Sequence, residues 1–291
     1  MAFVEGGSPS AVAGIERGDE LVNVNDISVD TNDRGELTTL LSAPNPTVPD
    51  VRYRMVFRRA GKLLTVDLAA AKVVADSVPV VQTFSGADGQ KIGYLLFNEH
   101  TVPAELRLIT AVTQLRDEGI NELALDLRYN QGGVVYVASQ LATMIAGIKR
   151  TEGKTFATYL FNDKRAAKNS ELSFLATACL PSLTGSRCST TAPLPTLDLR
   201  RVYILTQEST CSASEAIING LRGVDMELVL IGERLVESLM AFLAPKTAGS
   251  LIFQLNTRAV TRRVLAIMPR ASCRAQASRR GILKAAEWRT T

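Results

Sequence analysis

NELALDLRYNQGGVVYVASQLATMIAG, residues 121–147, decides how this chain folds. LALDL is an apolar run of strand length, Asn130-Gln131-Gly132-Gly133 is a glycine turn, and VVYVASQLATMIAG continues as a helix. A buried strand that passes through glycines straight into a helix is half of a βαβ unit. The same order recurs on both sides. Upstream, KIGYLLFNEH (91–100) reads as a strand. AELRLITAVTQLRDEG (104–119) reads as a helix with Leu106, Ile109, Val112 and Leu115 at three-residue steps on one face and Gly119 closing it. Downstream of a polar excursion from about 150 to 198, RVYILTQ reads as a strand, TCSASEAIINGLRG as a helix and MELVLIGE as a third buried strand. The expected fold class is α/β with parallel strands.

The chain has 291 residues, more than one domain of ~100–150 residues, so two units are expected to share it. Its 46% apolar content fills a core, and with aromatics at only 5% that core is aliphatic, as suits a sheet covered by helices. No stretch reaches the ~18 uninterrupted apolar residues of a membrane helix, so no integral membrane segment is expected. The opening MAFVEGGSPS has no basic or apolar region of a signal peptide. The cysteines, Cys179, Cys188, Cys211 and Cys273, form no C-x-x-C pair, which argues against a metal or redox site; no cofactor is expected. Cys179 and Cys188 flank the loop-like LPSLTGSR, which a disulfide would staple in an oxidising compartment. His100 is the single histidine and sits in the turn-like NEHTVP, leaving little room for an imidazole-based triad.

Two ends of the chain stand apart. At the start, GGSPSAVAGIERGDELVNVNDISV holds a turn at Gly7-Ser8-Pro9, a short helical piece ended by Gly14, a second turn at Arg17-Gly18-Asp19 and a strand with alternating apolar residues. VRYRMVFRRAGKLLTVDLA follows as a strand pair turning at Ala60-Gly61. From residue 234 onward, nine Arg and two Lys face two Glu, a balance of +9, while the rest of the chain balances at −5; the two give the formal +4. The tail RRVLAIMPRASCRAQASRR lacks the interleaved aromatics of a nucleic-acid surface, so no nucleic-acid partner is expected.

In open parallel sheets, chemistry sits beyond the carboxyl ends of the strands, where helix N-termini present free N–H groups. DLRYNQGG (126–133) and TCSASE (210–215) occupy two such ends. By spacing, Ser212 and Glu215 form a capping box, and the glycines form a strand-to-helix turn. Each motif alone has that structural reading as well as a catalytic one.

Taken together, D-L-R-x-N-x-G-G and S-A-S-E about eighty residues apart resemble the S41 family of serine peptidases, the carboxyl-terminal-processing proteases. The run from Gly7 to Asp26 is similar to the PDZ domains of bacterial proteases, without the loop that precedes such a run. The resemblance covers residues 1 to about 233. It implies a crotonase/ClpP-like βαβ catalytic core (85–233) behind a partial β-rich PDZ-like domain (1–70) and a linker (71–84). Polypeptides are the implied substrates, and a periplasmic or cell-envelope location is implied for the intact parent. It further implies Ser212 as nucleophile, backbone oxyanion donors at Gly132, Gly133 and Ala213, Glu215 as helix cap and no metal. A Ser–Lys dyad needs a desolvated, neutral lysine, which suits a chain nearly free of histidine. Two alternatives remain: a non-catalytic peptide-binding relative, and an acyl-CoA-processing enzyme of similar core.

The departure from the family comes after Ile231-Gly232-Glu233. Where the family reads like G-E-T-T-x-G-K-P-Y-G-F, this chain reads RLVESLMAF, with Ser238 in place of the lysine. Lys246, in APKTAG, comes late and lacks the flanking glycine. Codons can be chosen for T-T-C-G-K-P-Y-G-F that, read one nucleotide late, give R-L-V-E-S-L-M-A-F, which is Arg234 to Phe242 in order. Residues 234–291 are therefore expected to be an out-of-frame basic tail, by frameshift or sequencing error.

Overall fold

The structure is a computed structural model that describes residues 1, 3–31, 33, 35–36, 38, 51–161, 163–178, 180–181, 188–233, 240–241 and 251–254. The described residues divide between Asp76 and Ser77 into two units.

The first unit is a four-stranded antiparallel sheet in the order β2-β1-β3-β4, with β1 Glu20–Val24, β2 Ile27–Ser28, β3 Arg52–Arg59 and β4 Lys62–Ala69. Ser8 caps the short α1 (Pro9–Val12), its Oγ accepting from Ala11 N–H at 3.1 Å. Ala60 and Gly61 both take positive φ, 47° and 78°, the conformation of a tight two-residue hairpin turn, and Arg59 pairs with Lys62 across it. Ile15, Phe57 and Leu68 form the small core. Beside it the buried Asp19 carboxylate receives Arg59 at 2.6 and 2.7 Å; that bond, with one from the Glu16 N–H, pulls its pKa down to about 2.

The second unit is built on a five-stranded sheet in the order β13-β12-β7-β6-β5: β5 Val80–Ser85, β6 Lys91–Leu96, β7 Glu122–Asp126, β12 Arg201–Thr206 and β13 Glu227–Gly232. β6, β7, β12 and β13 are parallel, as the strand-helix alternation predicts, and β5 joins β6 antiparallel at the edge. The stretch expected to be a linker, 71–84, thus contributes most of an edge strand. VVQTFS is half-exposed throughout, so it lacks the continuous apolar run that marks a buried strand.

The helices are α2 Ala104–Asp117, α3 Val135–Ala146, α4 Ile148–Thr151 and α5 Ala213–Gly223. In α2 the buried face is Ala104, Leu108, Ala111, Val112 and Leu115, while Leu106 is 58% exposed. Three-residue steps lag a 3.6-residue turn by about 60° each, so a stripe drawn from Leu115 back to Leu106 arrives on the opposite side. α3 is buried almost along its whole length, and its side chains join those of α5 in the main core.

The polar excursion also carries structure. β8 (Thr155–Leu160) pairs antiparallel with β9 (Ser170–Ser173) and with β15 (Leu251–Gln254), which in turn pairs with β14 (Met240–Ala241); β10 (Leu180–Pro181) pairs with β11 (Cys188–Thr190). Phe156 on β8 stacks edge-on against Phe174 at 5.1 Å and presses on α5 at Gly220, where a Cβ would stand 2.5 Å from its ring. Cys179, and with it the expected Cys179–Cys188 bridge, lies outside the described residues, as do Ser238 and nearly all of the expected tail. Among the described residues no helix is long and apolar enough to cross a membrane.

Candidate active site

β7 and β12 are parallel neighbours in register, with Leu125 opposite Ile204 and Asp126 opposite Leu205. Their following segments therefore leave the same edge of the sheet side by side, which brings 126–133 against 207–215. Four side chains of the second segment hold backbone carbonyls of the first. Thr210 Oγ1 donates to Leu127 O at 2.7 Å, Ser209 Oγ to Arg128 O at 2.9 Å, and Ser214 Oγ to Asn130 O at 3.1 Å; Cys211 Sγ lies 3.5 Å from Gln131 O. Thr210 Oγ1 also accepts from Gln207 N–H at 3.1 Å. Every hydroxyl in this stretch except that of Ser212 is thus spent on clamping the two loops.

Ser212 differs in its backbone too. It has φ 58° and ψ −119°, values that belong to the first central position of a type II′ turn and that glycine adopts far more readily than serine. Ser214 N–H closes that turn onto Cys211 O at 3.2 Å. An ordinary N-cap has extended backbone angles. Ser212 therefore stands at the helix start in a strained conformation, of the kind found at functional sites, with its side chain partly exposed. Glu215, itself buried, accepts the Ser212 N–H at 2.7 Å and forms the predicted box.

Beyond Ser212, the Ala213 N–H opens α5, at the positive end of its dipole. Across from it, Gly132 packs so close that a Cβ there would lie 2.7 Å from Ser212 Cβ and 2.9 Å from Ala213 N. Gly132 and Gly133 take φ of 95° and 137°. Among the described residues neither the Gly133 nor the Ala213 N–H has a hydrogen-bond acceptor, whereas the Gly132 N–H is given to Asn130 Oδ1 at 2.9 Å. Of the three amides expected to serve as oxyanion donors, that of Gly132 is therefore engaged within the turn. Gly132 serves by having no side chain, which lets the turn approach Ser212.

Several residues of the site carried no role in the sequence reading. Asp126, fully buried at the end of β7, accepts Arg128 at 2.6–3.1 Å and the Tyr94 hydroxyl at 2.7 Å. Burial alone would raise its pKa, but those hydrogen bonds outweigh it and hold the carboxyl below its ordinary value. Tyr94 is pushed up to about 12, by burial first and then by Asp126. The signal was present: a carboxylate inside an otherwise apolar strand needs a partner, and Arg128 stands two residues on. Asn130 and His100 are buried beneath the glycine turn, His100 Nδ1 lying 2.9 Å from Asn130 Oδ1. Burial drives the imidazole pKa down to about 4, against the opposing bond to Asn130. Among the described residues no group of His, Cys, Asp and Glu side chains is arranged to hold a metal ion.

This arrangement has counterparts. Residues 91–261 match the sequence profile of peptidase family S41. The chloroplastic carboxyl-terminal-processing peptidase 1 of Arabidopsis thaliana is 26% identical over 229 residues, which are 78% of this chain and 41% of that protein. The carboxy-terminal processing protease CtpA of Bacillus subtilis is 27% identical over 138 residues, 47% of this chain and 28% of that protein. Among solved structures, one described as an S41 protease from Bacteroides fragilis superposes with a TM-score of 0.60 at 26% identity, covering 86% of this chain and 63% of its own. The chain spans less than half the length of the curated relatives it matches.

Proposed function

This chain belongs to peptidase family S41, and from that premise we propose that its site is that of a serine endopeptidase of the carboxyl-terminal-processing class, acting on polypeptides. One observation carries the reading: Ser212 is the hydroxyl left out of the clamp, set at φ 58° at the start of α5 and against Gly132, with the Gly133 and Ala213 amides unclaimed among the described residues. Its Oγ would attack the scissile carbonyl and pass its proton to a neutral base. The carbonyl oxygen, now negative, would sit between Gly133 N–H and Ala213 N–H, within the field of α5. Collapse would break the C–N bond, the leaving amine taking the proton from the base, and water would then hydrolyse the Ser212 ester.

The base in this mechanism is the dyad lysine, whose place is held by Ser238. Its absence favours a second reading, a peptide-binding relative without turnover. It is also the reason to read residues 234–291 as out of frame, although the family match runs past Glu233 to residue 261. Residues 1–70 are read as the partial PDZ-like domain, and the periplasm or cell envelope as the location of the parent.

A fluorophosphonate probe decides between the readings when applied to this chain and to a version whose reading frame is restored after codon 233. Labelling confined to Ser212, lost in Ser212→Ala and at least ~100-fold faster in the restored chain, is the expected result; that ratio corresponds to about 2.7 kcal/mol of barrier. A restored chain that binds peptide yet takes no label establishes the non-catalytic reading.

A further inference from the structure

We infer that His100, which the proposed reaction does not use, is a positioning residue for the oxyanion turn: its main chain and imidazole together fix the direction of Gly133 N–H. The inference rests on the oxyanion role given to that turn above.

His100 is 1% exposed and packs edge-on against Phe97, ring centroids 4.5 Å apart. Its own N–H donates to Gly132 O at 3.2 Å, and its carbonyl accepts Val134 N–H at 2.7 Å. Gly132 C=O and Gly133 N–H belong to one trans peptide plane and point in opposite directions. Anchoring the carbonyl on His100 therefore sends Gly133 N–H the other way, away from His100. No side chain fits at this contact, since a Cβ on Gly133 would stand 2.3 Å from His100 O.

The imidazole sets the second anchor. Asn130 Nδ2 donates to Phe97 O at 2.9 Å, which leaves Asn130 Oδ1 facing the turn as an acceptor. Two donors reach that oxygen at 2.9 Å, Gly132 N–H and His100 Nδ1. Because Oδ1 can only accept, the network assigns the proton of the neutral imidazole to Nδ1. Nε2 is then a buried acceptor without a partner among the described residues. An apolar ring would remove that unmet group, so the feature that distinguishes histidine here is the Nδ1–H bond to Asn130. With Gly132 N–H, Gly132 O and Val134 N–H all engaged, Gly133 N–H is left open to a ligand among the described residues.

Three variants of the chain as it stands test this. His100→Asn keeps an N–H donor at the place of Nδ1, His100→Gln moves its amide toward the place of Nε2, and His100→Leu has no donor. Two readouts are used: amide exchange of Gly132 relative to Leu125 in the core strand β7, and the rate at which a fluorophosphonate labels Ser212. Normalising to Leu125 cancels any general loss of stability. The expected result is a rise in relative exchange and a fall in labelling of at least ~10-fold each in the Leu and Gln variants, with the Asn variant within about threefold of wild type. Equal behaviour of Asn and Gln, or a relative exchange unchanged in both Gln and Leu, overturns the inference. If Leu does not fold, the Asn–Gln pair decides. If neither this chain nor the one with its frame restored takes label, the assignment of Ser212 as nucleophile fails, and the exchange ratios still settle the role of His100.

Discussion

The two loops at the carboxyl ends of β7 and β12 meet face to face yet are built on opposite plans. The loop after β7 is shaped by its main chain: two glycines at positive φ, carbonyls turned toward the neighbour, amides partly withdrawn onto Asn130. The loop after β12 is shaped by its side chains, with Ser209, Thr210 and Ser214 donating to those carbonyls. The difference teaches that a run of small hydroxyl residues beside a catalytic candidate is mostly scaffold. Each hydroxyl fixes one carbonyl, and the residue to look for is the one excluded.

Breaking the main-chain plan should have the largest effect. Gly133→Ala introduces a Cβ 2.3 Å from His100 O at φ 137°, and steric and backbone strain together should cost about 3–5 kcal/mol, seen as a lower urea midpoint at unchanged slope. A loss below about 1 kcal/mol would mean that the loop yields easily and that its geometry is not imposed.

The next test uses pH on the same loop. His100 has a folded-state pKa of about 4 against an ordinary 6.5, so the unfolded chain takes up the proton first. Stability from this group is fully present above pH 6.5 and declines as pH falls toward about 4, by about 3 kcal/mol in all. His100→Asn has no such titration, and the difference between its pH–stability curve and that of wild type isolates the effect. Parallel curves would show that the imidazole is not buried as described.

The side-chain plan should break more gently. Thr210→Val keeps the shape but strips Leu127 O and Gln207 N–H of their shared partner; burial makes this worth about 2 kcal/mol in chemical unfolding. Ser209→Ala, at a half-exposed site where water can replace the hydroxyl, should lose only about 0.5–1 kcal/mol. Were Ser209 the more damaging of the two, burial would not be what gives the clamp its strength.

The parallel core was legible in the sequence because LALDL, RVYILT and the helices between them repeat a pattern that only helix-covered sheets need. The edge strand β5 was not, since half-exposed VVQTFS carries no such pattern, and neither was the buried face of α2, where three-residue steps rotate off the helix axis. At the site, TCSASE located the place but not the division of labour within it. Which hydroxyl stays off those carbonyls depends on Leu127, Arg128 and Asn130, eighty or more residues away and adjacent only through the pairing of β7 with β12. His100 was read as a turn residue for the same reason: its partner, Asn130, is thirty positions distant.

The φ of Ser212 has a consequence measurable on a folding scale. Ser212→Gly removes the hydroxyl and suits the torsions, so relief of about 1–3 kcal/mol of backbone strain should exceed the ~0.5–1 kcal/mol of extra chain entropy that glycine brings. The variant should be the more stable protein, by about 1 kcal/mol, while losing every reaction at this position. The chain thus holds a residue against the preference of its own backbone, and a thermal melt alone, with no substrate known, would register that opposition.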